Sequence, residues 1–169
     1  METEVKIEVS DLEPIRERLR ALGAIQLGAV DEDNVYLDHE GELAARDQSL
    51  RLRHDGQVHL TWKGASDFRD GIVVRPEVEV TVSSFADALE ILEKLGFHPS
   101  DRLIKRRETW RLRDVEVDLD TLAFGRFVEL EGEAPKVGAV AAELGLDPRQ
   151  GLRSSYRTLQ RERRSNRDV

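Results

Sequence analysis

A period-two alternation of charged and apolar residues recurs along most of this chain, and it dictates strands whose two faces differ sharply. In Met1-Glu2-Thr3-Glu4-Val5-Lys6-Ile7-Glu8 a strand sends Glu2, Glu4, Lys6 and Glu8 to one side and Val5, Ile7 and Val9 to the other. Leu50-Arg51-Leu52-Arg53 and Val58 to Lys63 alternate likewise around a turn at Asp55-Gly56 and read as a hairpin. Val74 to Val80, Ile104 to Leu112, Val115 to Asp120 and Phe127 to Glu131 follow the same rule. With Glu2 to Val9 and Asn34 to Asp38, eight strands are expected.

Helices interrupt this pattern at two related places. Ser10 to Leu22 carries a Ser10-x-x-Glu13 capping box, an apolar stripe of Leu12, Ile15, Leu19 and Leu22, and Gly23 as a stop. Ser84 to Leu95 carries Ser84-x-x-Asp87, the stripe Phe85, Leu89 and Leu92, and Gly96. The two segments, with the strands that precede them, repeat at an offset of 73 residues, so each half reads as strand, helix, then further strands. A shorter helix is expected over Val137 to Leu144, and a fourth from near Ser154.

This many alternating antiparallel strands suggests an α+β architecture built on an eight-stranded antiparallel β-barrel. The helices need apolar surface to cover. The apolar faces are therefore expected outside, under helices, and the charged faces inside, lining a solvated tunnel. By this parity Trp62 and Trp110 fall on the outer face, and Phe127 is the clear aromatic on the charged side. Residues 1–160 form one domain in this reading, and 161–169 a charged, solvated tail.

Composition narrows the partners. The absence of cysteine excludes disulfides and thiolate chemistry, and no apolar run approaches the roughly 20 residues of a membrane span. The charged strand opens at residue 2, which leaves no room for a signal peptide and points to a cytoplasmic protein. A net charge of −8 opposes stable nucleic-acid binding, which rests on neutralising phosphates, although it does not preclude a basic cleft.

The inward acids are Glu2, Glu4, Glu77, Glu79, Asp118, Asp120, Glu129 and Glu131, and the inward bases are Lys6, Arg51, Arg53, Lys63, Arg75, Lys105 and Arg107. Charged alternation on one strand usually marks a solvated face. Repeated on nearly every strand, it calls for a reason to keep like charges close. Mg²⁺ or Mn²⁺ supplies one, because hard cations take oxygen ligands and a Glu-x-Glu pair projects two carboxylates the same way. Arg and Lys on facing strands suit phosphate oxygens. The sequence has no Walker-type glycine loop and no Cys/His metal cluster, and its four histidines are scattered.

These motifs, taken in order, resemble the CYTH domain, also called the triphosphate tunnel metalloenzymes, a family named for class IV adenylate cyclase and thiamine triphosphatase. The resemblance covers roughly residues 2–160. It rests on Glu2-x-Glu4-x-Lys6, Leu50-Arg51-Leu52-Arg53, Leu60-Thr61-Trp62-Lys63-Gly64, Arg75-x-Glu77-x-Glu79, Lys105-x-Arg107, Val117-Asp118-Leu119-Asp120, Val128-Glu129-Leu130-Glu131 and Ser155-Tyr156-x-x-Leu159. It implies metal ligands at Glu2, Glu4, Asp118, Glu129 and Glu131, with Asp120 a further candidate. Lys6, Arg51, Arg53, Lys63 and Arg107 would hold the triphosphate, supported by Lys105, Arg75, Glu77 and Glu79. Glu2, Glu4 and Lys63 would stand nearest the reaction.

Two departures bear on substrate. Ser49 stands where animal thiamine triphosphatases carry a stacking Trp, and Ser154 stands where many members carry a Lys, with Arg153 one residue earlier. The stretch from Tyr36 to Arg53 is similar to the class IV cyclase branch. The expected activity is metal-dependent hydrolysis of a triphosphate, inorganic or nucleoside. Conversion of ATP to cyclic AMP and pyrophosphate is the alternative at the same site, and polyphosphate binding without catalysis the alternative of another class. The expected partner is a small-molecule triphosphate; a homodimer is left open.

Overall fold

The alternating segments form strands because β-branched and long charged side chains suit a pleated surface with two unlike sides. In the computed structural model, which describes residues 1–165, they make ten strands in one antiparallel sheet. They are β1 (Glu2–Val9), β2 (Ile25–Asp38), β3 (Ser49–His54), β4 (Val58–Lys63), β5 (Asp67–Arg69), β6 (Ile72–Arg75), β7 (Glu77–Val82), β8 (His98–Leu112), β9 (Val115–Leu122) and β10 (Gly125–Glu131). The helices are α1 (Glu13–Ala21), α2 (Glu42–Ala45), α3 (Phe85–Lys94), α4 (Ala134–Glu143) and α5 (Tyr156–Ser165). None is long and apolar enough to cross a membrane.

The expectation of eight strands in a closed barrel needs correction. The strand order is β5-β6-β1-β10-β9-β8-β2-β3-β4-β7, so β5 and β7 are edges and the hydrogen-bonded ladder is open. The cause is Pro76. It separates β6, which pairs with β1, from β7, which pairs with β4. A proline has no N–H to donate, so the ladder stops there, although the chain runs directly from one flank of the sheet to the other. The Pro76 carbonyl accepts from the Gly64 N–H at 2.8 Å, and Lys63 on β4 reaches Glu2 on β1 at 2.5 Å. The charged face therefore curls into a trough whose flanks are joined by the chain itself and by side chains.

The repeat is visible in the backbone. β2 spans 25–38 and β8 begins at 98, 73 residues on, and the two lie antiparallel against each other. Both strands start earlier than the alternation alone indicates. α1 and α3 end alike: Gly23 and Gly96 adopt positive φ, Ala24 N–H donates to Leu19, and Phe97 N–H donates to Leu92. These are the left-handed helix stops that glycine allows at no steric cost.

The helix starts differ from expectation. The Ser84 hydroxyl caps α3 by accepting from the Asp87 N–H, as its spacing predicts. The Ser10 box does not form. Pro14 sets the first turn of α1, and Glu13 pairs with Arg16 and Arg20 instead of reaching back. α4 begins at Ala134 rather than Val137, because Pro135 fits a first turn where its missing N–H costs nothing. Residues 161–165 continue α5, with Arg161 on Asp101 and Arg163 on Glu8, so this part is a docked helix and not a solvated tail. Residues 166–169 lie outside the described residues.

The apolar faces do point outward under helices. Val5, Ile7, Trp110, Val117, Val128 and Leu130 form one buried cluster with Ile15 and Leu19 of α1 and Val137 and Val140 of α4. A second joins Leu37 and Leu52 to Leu92, with Leu60, Phe85 and Leu89 packed against it. Trp62 belongs to neither and sits beside Gly64 and Pro76. The third cluster lies on the charged side. Phe127, Leu103 and Leu122 pack with Tyr156 and Leu159 of α5, which therefore stops one end of the trough.

Candidate active site

The strand registers stack the inward side chains in rows. Glu4, Glu131 and Glu116 lie abreast on β1, β10 and β9; below them come Lys6, Glu129 and Asp118, then Glu8, Phe127 and Asp120. A row of like charges across paired strands is destabilising unless something neutralises it. The second row carries its own base, and the first has only the exposed Arg111 at its β8 end, 3.6 Å from Glu116. The rows face a polar cavity of about 650 Å³.

Every candidate residue named from the sequence lines this cavity except Asp120. Asp120 is sunk beneath it, fully buried, and its oxygens accept from Arg107 (2.7 Å), Lys105 (3.0 Å) and the Tyr156 hydroxyl (2.8 Å). With its lone pairs so engaged, Asp120 anchors bases and α5; it is not presented as a metal ligand.

Arg107 is the hub of the interior. Its guanidinium bonds Asp118 at 2.6 Å and also Asp120 and Glu129, with Glu32 at 3.7 Å. Burial alone would lower its pKa, but these acids raise it well above the ordinary value. Lys105 lies between Asp120 and Glu32. Lys6 contacts Glu129 at 3.1 Å and Glu4 at 3.6 Å, and these carboxylates outweigh burial to raise its pKa.

The other bases are looser. Arg51 donates to Asn34 and Thr61 at 3.3 and 3.4 Å, while Arg53 meets Glu79 at 3.3 Å. The Nε of Arg51 is buried without a hydrogen bond, and so is Glu2 Oε2, while the Nε of Arg53 lies 3.0 Å from the Asp55 carboxylate. A buried polar group left unpaired costs on the order of 1–3 kcal/mol. An orphaned donor and an orphaned carboxylate oxygen around one cavity are complementary to an anion and a cation bound together. Arg75 is committed elsewhere: it donates to the Gly64 and Asp47 carbonyls and shapes the rim. Lys63 is held by Glu2 and by Glu77 at 3.3 Å.

This donor set fits a divalent ion of the Mg²⁺ or Mn²⁺ type. Among the described residues no three acidic or histidine side chains converge as a ready-made cage. Mg²⁺ does not require one, since it usually keeps waters and binds through one or two carboxylates plus substrate phosphate. Glu4 and Glu131 are the acids with least competition from bases, and Glu2, paired through one oxygen with Lys63, keeps its other oxygen unbonded. Glu129 and Asp118 are held by Arg107 and would serve only if it shifted onto substrate.

Sequence reasoning missed several lining or supporting groups. Glu32 and Asn34 are buried on β2, a strand the alternation marks only over Asn34 to Asp38. Burial opposes ionisation of Glu32, but Lys105, Arg107, Arg51 and Arg53 pull its pKa to about 2. Glu116 shares the parity of Asp118 and Asp120, a signal that was present. Arg157 and Arg161 line the rim; of the two only Arg161 falls in the segment expected as a solvated tail.

The charge balance predicts a pH response in the metal-free protein. Burial, against Arg107, pushes Asp118 from 3.8 to about 6. Burial and the Glu2 charge push Glu131, part of which meets solvent, to about 7. Groups whose folded pKa is raised stabilise the fold below the unfolded value, and that stability is lost as pH rises through the folded value. Glu32, whose pKa is depressed, acts oppositely: its contribution is present above 4.5 and lost as pH falls toward 2. With chelator present, the melting temperature is therefore expected to fall between about pH 4 and 7, Asp118 alone accounting for about 3 kcal/mol. It should fall again in strong acid. Thermal melts across pH check this; a melting temperature still rising from pH 5 to 7 contradicts it.

A sheet of this topology, with helices outside and a cavity of interleaved acids and bases within, defines a class of proteins. The model of the CYTH domain matches residues 1–150, and the chain belongs to the CYTH family. A Methanocaldococcus jannaschii protein named "Putative adenylate cyclase MJ0240" is 28% identical over 134 residues, covering 78% of this chain and 76% of that one. The solved PH1012 protein of Pyrococcus horikoshii OT3 superposes with a TM-score of 0.79 at 26% identity, covering 92% and 97% of the two chains. The solved HpAC1 protein of Hippeastrum shares the fold, with a TM-score of 0.70 at 18% identity and 96% of each chain covered.

Proposed function

We propose that this protein is a divalent-metal-dependent phosphohydrolase acting on the triphosphate end of its substrate. The observation that carries the reading is the pairing of an unsatisfied buried donor on Arg51 with the unsatisfied Glu2 oxygen around one polar cavity lined by further bases and acids. Arg51, Arg53 and Lys6 would hold the phosphate chain, and Lys63 would neutralise charge near Glu2. Glu2, Glu4 and Glu131 would hold the ion. When bound, Mg²⁺ or Mn²⁺ would supply positive charge against the phosphate chain and make a water more acidic. Water attacks the terminal phosphorus, the bridging P–O bond breaks, and orthophosphate and the shortened chain leave. The barrier is mainly one of charge and position, which fixed Arg and Lys side chains supply.

The HpAC1 structure is described as revealing a dominant triphosphatase activity, which supports hydrolysis as a chemistry this fold can host. The cyclase name of the archaeal relative supports the second reading, ATP cyclisation. That reaction needs a base platform. Trp110 is buried on the outer face, Trp62 lies on that face beside Gly64 and Pro76, and Phe127 is buried at the plugged end. Tyr36 lines the cavity but is covered by Arg157, whose guanidinium lies 5.2 Å from its ring centre.

Purified protein incubated with Mg²⁺ or Mn²⁺ and tripolyphosphate, ATP or thiamine triphosphate tests the proposal. Metal-dependent release of orthophosphate from tripolyphosphate is the expected result. Cyclic nucleotide with pyrophosphate from ATP would select the cyclase instead, and tight binding without any turnover would select a polyphosphate-binding module.

A further inference from the structure

Arg53 belongs to a closed square of four ionisable side chains at the β3–β4 turn. Its Nε lies 3.0 Å from Asp55 Oδ2, and its Nη2 lies 3.3 Å from Glu79 Oε1. The His59 imidazole spans the same two acids, with Nε2 3.4 Å from Asp55 Oδ1 and Nδ1 3.3 Å from Glu79 Oε1. Strand register puts it there: His59 on β4 stands opposite Arg53 on β3 and Thr81 on β7, and Glu79 is the next β7 residue on that face. From β3 the ring therefore faces Arg53, from β7 Thr81 and Glu79, and from the turn Asp55. Arg53 and Glu79 line the cavity; His59 and Asp55 do not.

A neutral imidazole offers one N–H and one lone pair, so one of the two acids would meet a lone pair. The protonated ring gives each acid a proton. Burial opposes ionisation of Glu79, but the Thr61 hydroxyl and the charges of Arg53, Arg51 and His59 hold its pKa below the usual carboxylate value. Among the described residues Arg53 is the only permanent cation on Asp55, while Glu79 also has Arg51 at 3.7 Å. Arg53 cannot turn its guanidinium onto a phosphate without leaving these carboxylates. We propose that His59 is a positioning residue for triphosphate binding: its protonated ring takes over Asp55 and Glu79 and frees Arg53 for the phosphate oxygens. The inference rests on the reading that Arg53 holds a triphosphate. Binding is then tightest where histidine is charged, at the acid end of roughly pH 5 to 8, and weakens as the ring loses its proton.

Equilibrium binding of tripolyphosphate in Mg²⁺ buffer, run cold with the ligand verified intact, tests this at about pH 6 and about pH 8. Asp118 and Glu131 titrate near the same window, as does the ligand, so each variant is compared with the wild type at each pH. At about pH 6 His59→Gln should bind about fivefold more weakly than the wild type, the order expected for two partly exposed ion pairs, and at about pH 8 the two should agree within about twofold. His59→Lys stays charged at both and should bind about fivefold more tightly than the wild type at about pH 8. In an Arg53→Gln background, His59→Gln should cost less than about twofold at either pH, because the arginine it frees is gone. Equal weakening of His59→Gln at both pH values would overturn the proposal and leave the ring a packing role. A loss that persists in the Arg53→Gln background would also sink it, placing the histidine charge on the ligand itself. Should the glutamine variant fail to fold, wild-type affinity of His59→Lys at the higher pH is enough to reject it. Unchanged affinity in Arg53→Gln alone would remove this inference and leave the triphosphate reading standing, whereas a wild-type protein that does not bind tripolyphosphate would remove both.

Discussion

Arg107→Ala is expected to destabilise the metal-free protein by about 3–5 kcal/mol, the usual result of removing one partner from a buried ion-pair network. Among the described residues Arg107 is the sole cation in contact with Asp118, and it touches three further acids; its side chain is 16% exposed. Its loss leaves Asp118, already pushed up to about 6, with only the Thr109 hydroxyl as partner. Asp120 and Glu129 keep Lys105 and Lys6. Arg107→Lys retains the charge but cannot reach several carboxylates at once, so an intermediate loss is expected. Urea unfolding with an unchanged m-value measures this. A loss below about 1 kcal/mol with abolished triphosphate binding would make Arg107 a ligand residue in the simple sense the family resemblance implies, and not a structural hub.

Glu4→Gln should lower metal-dependent turnover roughly a hundredfold while leaving stability nearly unchanged, the scale of loss for a group that stabilises transition-state charge. The substitution is nearly isosteric. Lys6, the base Glu4 contacts at 3.6 Å, keeps Glu129 at 3.1 Å. Opposite Glu4 on β10 stands Glu131, flanked in turn by Glu116, so removing one negative charge relieves this row. The apparent stability of the metal-free variant should therefore equal or slightly exceed that of the wild type. Wild-type turnover at saturating metal would remove Glu4 from the ion-holding set. Unfolding of the variant would instead assign it to the network around Lys6.

The two variants separate residues that look alike in the sequence. Arg107 and Glu4 both sit at inward positions of alternating strands, yet one is locked in buried pairs and the other faces the cavity with little competition. The same holds for Asp118 and Asp120, two residues apart on β9. One lines the cavity, and the other lies below it, bonded to Tyr156 from α5. Alternation reports the side of the sheet a residue occupies; it carries no information on depth, which depends on which neighbouring strand and helix cover it.

The two unlike faces of the sheet, the repeat at offset 73 with its glycine helix stops, and most of the acids and bases that meet in the cavity were legible along the chain. All of these follow from local rules: side-chain period two in a strand, and positive φ at glycine. Long-range packing set how the sheet ends at Pro76, that α5 plugs one end and runs on through 161–165 where a solvated tail was expected, and which charges remain unsatisfied. The proline's effect on the ladder depends on which strands flank it. The docking of α5 rests on Tyr156 meeting Asp120 and Arg161 meeting Asp101, contacts between residues 36 and 60 positions apart. Pairings over such distances are fixed by packing, and no periodicity along the chain encodes them.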